Sequence, residues 1–197
     1  MELLERDLVV VRQKAKLVEM TNQYRLQDAD GNDIGVIEQV GQNGLRKALR
    51  LLTSVDQYLT HRLEIRDETG KAVLGLRRPA KFLKSKVEVS DGAGTPVGTI
   101  VQQNVVGKKR FTLESPDGAL LGELLGENWV SWDFRIVDAN GTEVARVNKK
   151  WAGMLREGFT TADTYVFEAE PGLGGPLRLL AFAAAAAIDT ALKQDDS

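Results

Sequence analysis

The 197-residue sequence contains no cysteine and only one histidine. The absence of cysteine excludes disulfides, thiol catalysis, palmitoyl anchoring and cysteine-based zinc sites, and it suits a reducing cytoplasm. With a single histidine, His61, and no Gly-x-Ser-x-Gly motif, the sequence does not support a hydrolase triad. We interpret His61 as a surface or packing residue at the start of a strand, and we predict that the protein is not an enzyme.

Neither sign of charge dominates, and no long hydrophobic run is present. Lys and Arg number 26 against 28 Asp and Glu, a formal net charge of −2, which argues against a general nucleic-acid binder. The longest apolar run, Leu179–Ile188, has ten residues, whereas a bilayer requires roughly 20. Met1–Asp7 carries three acidic residues and no apolar run, so we expect no signal peptide.

One local pattern recurs five times: an alternating apolar run, a turn of the Asp-x-x-Gly type, and a second alternating run. The aspartate caps such a turn by bonding its own backbone, and the glycine takes the positive φ that the turn requires. Leu8–Val11, with a possible extension to Val18, and Tyr165–Phe167 add two strands to the ten of the hairpins. The five turns are Asp28–Gly31, Asp67–Gly70, Asp91–Gly94, Ser115–Gly118 and Asp138–Gly141.

The C-terminal sequence predicts a helix that could occupy the interior of a closed sheet. Eight strands enclose only side chains, so a barrel of twelve needs a filling about 10 Å wide, the width of a helix. Pro176 suits a first helical turn, and the five alanines at 183–187 favour a slim helix that is apolar all round. We therefore predict one mainly β domain, residues 1–197: a twelve-stranded antiparallel closed barrel around a hydrophobic C-terminal helix at about 176–193.

A second helix is expected at about 42–59, on the outside of the sheet. The spacing of Leu45, Ala48, Leu49 and Leu52 is that of one apolar helix face.

Metal-ligand patterns are incomplete. Asp28-x-Asp30-x-Asn32 matches the first ligand positions of an EF-hand loop, but Asp33 stands where glycine is needed and Gln39 where glutamate is needed. Because similar turns recur in the other hairpins, we interpret this segment as a turn. We predict no cofactor and no metal. Asp189, in an apolar helix, must lie near a barrel mouth, be paired or be protonated, and a structural salt bridge is the simplest interpretation.

An up-and-down barrel would separate the charges. All hairpin turns would lie at one end and all connections between hairpins at the other; the turns are mostly acidic, and several connections are basic. We hypothesise a basic rim that attracts anionic head groups, with Trp129, Trp132 and Trp151 as interfacial aromatics. Solvated loops without a ligand are the alternative. The candidate lipid-binding residues are Arg77, Arg78, Lys81, Lys84, Lys86, Lys108, Lys109, Arg110, Lys149 and Lys150.

The C-terminal third resembles a known family. Lys150–Asp163, then a β segment, a Pro/Gly stretch and an apolar helix ending in Ile188-Asp189 are similar to the C-terminal part of phospholipid scramblases. With its hairpins, the chain resembles the scramblase and LURP-one-related branch of the Tubby C-terminal-like superfamily. The resemblance implies a twelve-stranded barrel around a hydrophobic helix, and association with membrane phospholipid. Its motif residues are Trp151, Gly153, Phe159, Thr160, Asp163 and Asp189.

The sequence departs from the family at the calcium segment, where Thr161 and Thr164 replace charged positions and leave Asp163 as the only candidate ligand. Calcium is therefore a doubtful cofactor. The leading interpretation is a non-enzymatic, cytoplasmic module that binds anionic phospholipid, peripheral to the inner face of the plasma membrane. The alternatives are a genuine scramblase that moves lipids between leaflets, and a soluble structural or protein-interaction barrel with no lipid role. No nucleic-acid partner is expected, and the sequence identifies no protein partner.

Overall fold

The computed structural model describes residues 2–13, 23–40, 61–79, 86–103, 109–128, 133–148 and 164–192. A short helix, α1 (Glu2–Glu5), precedes the strands, and a longer one, α2 (Gly175–Leu192), follows them. The strands between them are β1 (Leu8–Gln13), β2 (Gln23–Gln27), β3 (Asp33–Gln39), β4 (His61–Asp67), β5 (Ala72–Arg78), β6 (Lys86–Asp91), β7 (Pro96–Gln102), β8 (Arg110–Glu114), β9 (Leu120–Asn128), β10 (Asp133–Asp138), β11 (Glu143–Asn148) and β12 (Thr164–Ala169).

Each strand pairs with its neighbours in sequence, and the first pairs with the last. β1 runs antiparallel to β12, with Leu8 opposite Glu168 and Arg12 opposite Thr164, so the twelve strands form a closed barrel. Closure removes the free edges that an open sheet of this length would expose. The predicted twelve-stranded antiparallel barrel around a C-terminal helix is confirmed.

The five hairpin turns share one bonding pattern. In each, the glycine N–H donates to the carbonyl three residues earlier, and the glycine φ lies between 82° and 88°, where a side chain is disfavoured. In the first turn, Asp28 Oδ1 accepts the N–H groups of Asp30 and Asn32, and its Oδ2 accepts the Asn32 amide. Both carboxylate oxygens of Asp28 therefore serve the turn, as the sequence interpretation held.

Helix α2 fills the barrel with small side chains. Leu180 and the alanines at 183–187 are at most 6% exposed, and the Phe182 ring meets Phe167 edge-on at 5.3 Å between centroids. At Gly122 an added Cβ would lie 2.9 Å from the Leu177 side chain, so glycine in the wall lets the helix approach. The alanine-rich composition thus sets the width that the lumen accommodates.

The helix begins one residue earlier than expected, at Gly175, and ends at Leu192. None of the helices in the described ranges combines the length and the apolar character that crossing a bilayer requires. The outer helix expected at about 42–59 lies outside the described residues, and the assignment of 1–197 to one domain stays a prediction.

Candidate functional site

Strand direction sorts the barrel into two ends. Because consecutive strands alternate in direction around the ring, the five hairpin turns lie at one end, which we call the turn end. The strand termini that flank 14–22, 41–60, 80–85, 104–108, 129–132 and 149–163 lie at the other, the connection end. Helix α2 follows β12 and therefore enters the lumen from the turn end.

The turn end is strongly acidic. Hydrogen bonds within the turns lower the pKa of several of its aspartates below the ordinary value: the Thr69 hydroxyl does so for Asp67, the Thr95 N–H for Asp91 and the Thr142 N–H for Asp138. These carboxylates therefore stay ionised in moderately acidic solution. Lys71 is the one base in the loops of the five hairpins, and Arg25 and Arg146 of the adjoining strands pair with Asp33 and Glu143. The acidic residues of this end are Asp28, Asp30, Asp33, Asp67, Glu68, Asp91, Glu114, Asp117, Asp138 and Glu143.

Five of the ten candidate lipid-binding residues are described, and all five lie near strand termini at the connection end. Arg77 is exposed and donates to Glu88 at 2.7 Å, and Arg110 makes a forked pair with Glu123 at 2.5 and 3.1 Å. Lys86 is exposed and forms no ion pair with another described residue. The exposed arginines are therefore partly neutralised, whereas no described carboxylate pairs with the Lys86 ammonium.

Two of the five are less accessible. Arg78 is half-buried, and Lys109 has only 8% of its surface exposed. Lys109 is thus positioned to contribute to the potential of this end, and its burial disfavours direct contact with a head group.

The structure adds Arg62 to the basic residues of this end. Arg62 lies directly opposite Arg77 in the β4–β5 register, is exposed, and makes no ion pair with any residue that the structure describes. Our sequence reasoning considered only the connections and missed Arg62, which lies within a strand. Its alternation with the buried Leu63 and Ile65 was the signal that could have marked it as outward-facing.

Several predicted residues lie outside the described ranges: Lys81, Lys84, Lys108, Lys149, Lys150, Trp129, Trp132, Trp151, Gly153, Phe159, Thr160 and Asp163. Asp189 belongs to α2, but its side chain is not described, so its salt bridge stays a prediction. Within the described ranges, no group of three or more His, Asp or Glu side chains could hold a metal ion. Calcium binding at Asp163 is untested by this observation.

The fold and its sequence were compared with known proteins. The family model described as Scramblase matches residues 1–192. The chain belongs to the scramblase family. Altered inheritance rate of mitochondria protein 25 of Saccharomyces cerevisiae is 26% identical over 175 residues, covering 75% of this chain and 52% of that protein. A phospholipid scramblase family protein of Schizosaccharomyces pombe is 24% identical over 180 residues, covering 83% of this chain and 46% of the relative.

Human phospholipid scramblase 2 is 24% identical over 178 residues, covering 81% of this chain and 58% of that protein. This scramblase-family chain thus spans about half the length of the curated relatives it matches. The X-ray structure of a protein from Arabidopsis thaliana superposes with a TM-score of 0.54 and 13% identity, covering 96% of this chain and 92% of the other. That likeness shows the fold alone, and the barrel is consistent with the Tubby-like superfamily.

Proposed function

We propose that this scramblase-family chain is a non-enzymatic module that associates peripherally with phospholipid membranes and binds anionic lipid through its connection end. The observation that carries the proposal is the separation of acidic turns from basic strand termini along the barrel axis. Membership of the scramblase family supports phospholipid as the partner. The family name alone does not specify which end of the barrel meets lipid, and the charge distribution supports the connection end.

The charge distribution favours one orientation at a membrane. An anionic surface repels the ionised carboxylates of the turn end and attracts the connection end. A basic residue near such a surface contributes about 1 kcal/mol. Arg62 and Lys86 can contribute fully, since they form no ion pair with a described residue. Arg77 and Arg110 contribute less, because Glu88 and Glu123 already neutralise them.

The enclosure of α2 supports peripheral binding over insertion. Its alanines at 183–187 contact the barrel interior and are at most 6% exposed. Release of the helix would expose this apolar surface and empty the lumen, a cost that the helix could recover only in hydrocarbon. Transfer of lipid between leaflets, the activity that the names of several relatives imply, therefore requires more than this barrel as it stands.

Co-sedimentation with liposomes tests the proposal. The protein is mixed with phosphatidylcholine vesicles that contain increasing phosphatidylglycerol, at low and high salt, with calcium or with chelator. We expect the bound fraction to rise with anionic lipid, to fall with salt because exposed charges are screened, and to be independent of calcium. Arg62→Gln combined with Lys86→Gln should weaken binding by about thirtyfold, at roughly 1 kcal/mol for each of the two bases removed.

The control removes one base at the opposite end, which matches each of the single variants Arg62→Gln and Lys86→Gln in charge. Lys71→Gln changes net charge by one unit in an exposed turn and should leave vesicle binding unchanged. Equal weakening by Lys71→Gln and by the connection-end variant would contradict the proposed orientation. Absence of binding under every condition would refute the lipid-binding function itself and favour a barrel that acts on protein partners. A leaflet-exchange assay with the same vesicles tests translocation, which we expect the isolated chain not to perform.

A further inference from the structure

A groove runs along the outer wall of the barrel from Arg62 and Arg77, near the connection end, to Gly94 and Pro116, in turns at the other end. Its volume is about 540 Å³, within the usual range of small-ligand sites. Residues from β4, β5 and β6 that alternate with buried core residues line its polar part. These residues are Arg62, Glu64, Gly75, Arg77, Glu88 and Ser90.

Gly75 forms part of the groove wall, and the fold does not demand a glycine there. Its φ is not positive, and an added Cβ would meet only the Ser90 Oγ, at 2.9 Å, which is the end of a rotatable side chain. At Gly35 and Gly122, by contrast, a Cβ would collide with a backbone carbonyl. Glycine within a strand weakens the strand. The absence of a side chain at Gly75 leaves room in the groove beside the Ser90 hydroxyl.

The groove presents charges of both signs. Arg62 and Arg77 are directly opposite in the β4–β5 register, an unfavourable arrangement of like charges that Glu88 relieves only on the Arg77 side. Glu88 accepts from Arg77 at 2.7 Å, and Glu64 is bound by Arg66. A simple anion would meet the two carboxylates and a simple cation the two guanidiniums. The groove therefore suits a ligand that carries both charges.

We infer that this groove binds a phosphodiester that bears a primary amine, the glycerophosphoethanolamine group, with its phosphate at Arg62 and Arg77 and its ammonium at Glu88. A primary ammonium donates three hydrogen bonds to carboxylates. A trimethylammonium donates none and is held by aromatic cages, and the described lining contains no aromatic residue. The inference deepens the proposed function, and it rests on that function for phosphatidylethanolamine as the source of the group.

Titration of the ¹⁵N-labelled chain with soluble glycerophosphoethanolamine tests the groove, with glycerophosphocholine and inorganic phosphate as comparison ligands. We expect shifts of the Gly75 and Ser90 amides and tighter binding of the ethanolamine compound than of either comparison. Arg62→Gln and Gly75→Val should each weaken it by about tenfold or more, the effect of losing one charged hydrogen bond or the space for the ligand. Lys71→Gln, at the turn end, should have no effect. Gly75→Ala, whose Cβ meets only a rotatable side chain, provides a second variant should the valine variant not fold.

Three results would overturn the inference: no binding of glycerophosphoethanolamine, binding that survives Gly75→Val in a folded chain, or equally tight binding of glycerophosphocholine or inorganic phosphate. A vesicle arm identifies the source of the group. If phosphatidylethanolamine in phosphatidylcholine vesicles increases binding to the wild type but not to Gly75→Val, the groove reads a lipid head group. If the soluble compound binds but phosphatidylethanolamine does not increase vesicle binding, the ligand is a free phosphodiester with a primary amine and not a lipid head group. If the wild-type chain binds glycerophosphoethanolamine but does not bind phosphatidylglycerol vesicles, the connection-end proposal is refuted and the groove inference is retained.

Discussion

Arg178 is the buried cation that ties the start of the core helix to the N-terminal residues. Its side chain is 8% exposed. Nε donates to the Leu4 carbonyl at 2.5 Å, Nη1 donates to the Leu173 carbonyl at 3.0 Å, and both terminal nitrogens donate to Asp7 Oδ1 at 3.1 Å. One guanidinium therefore joins α1, the start of β1, the loop before α2 and α2 itself.

Replacement of Arg178 by methionine keeps most of the apolar stem and removes all of these hydrogen bonds. Hydrogen bonds to a charged group contribute about 1.5–3 kcal/mol each when lost singly, and removal of one member of a buried pair costs about 3–5 kcal/mol. Asp7 is half-exposed, with 51% of its side chain accessible, and water compensates it in part. We expect Arg178→Met to lower the free energy of unfolding by about 3 kcal/mol, measured by urea denaturation.

The control is an ion pair with good geometry whose two side chains are exposed to solvent. Arg25 donates to Asp33 at 3.0 Å, with the two side chains 49% and 52% exposed. Arg25→Gln should cost at most about 1 kcal/mol, as exposed pairs usually do. If Arg178→Met lowered the free energy of unfolding no more than Arg25→Gln, the burial of Arg178 would not contribute to stability and the reasoning would be refuted.

Three further predictions follow from the core and the turns. Ala184→Leu enlarges a side chain that is 2% exposed in the filled lumen. Because overpacking costs about 1–3 kcal/mol, this variant should lower Tm by roughly 4–8 °C in calorimetry. The control Ala139→Leu, in an exposed turn, should not lower Tm. Gly122→Ala, which meets the Val137 carbonyl, should destabilise by about 2 kcal/mol in urea, whereas Gly75→Ala should be neutral or slightly stabilising. Because the turn hydrogen bonds lower the pKa of Asp91 and its counterparts, the stability that these bonds contribute is complete above the unfolded pKa and is lost as pH falls through the folded pKa. Urea midpoints should therefore drop as pH falls below about 4, and an unchanged midpoint would contradict the assignment.

The barrel was predictable because its information is local and repeated. Each Asp-x-x-Gly turn carries its own hydrogen bonds, so hairpin number and strand count could be read without any long-range contact. Closure followed from the need to enclose an alanine-rich helix, which no open arrangement of this length would surround. Among the strand pairings, that of β1 with β12 joins the residues most distant in sequence, with Leu8 opposite Glu168, and it was predicted from the strand count.

The site was less predictable because it depends on register. That Gly75 faces Ser90 follows from which residues of β5 and β6 stand opposite one another. Sequence spacing does not fix that register across separate hairpins. The same limit applies to Lys109, which belongs to a basic run yet is buried, since burial is decided by neighbours that the run does not contain.

The position of Arg178 bears on how the chain meets lipid. The helix enters the lumen at the acidic turn end, where Arg178 binds Asp7 and two backbone carbonyls, so its anchored end lies away from the end that we propose faces the membrane. Movement of the helix toward the lipid would have to break this buried cluster and withdraw the alanine-rich segment from the wall at the same time. Both costs oppose insertion, whereas attraction of the connection end and occupation of the outer groove require neither. We therefore expect lipid head groups to bind at the rim and the outer wall of the barrel while its core helix remains enclosed.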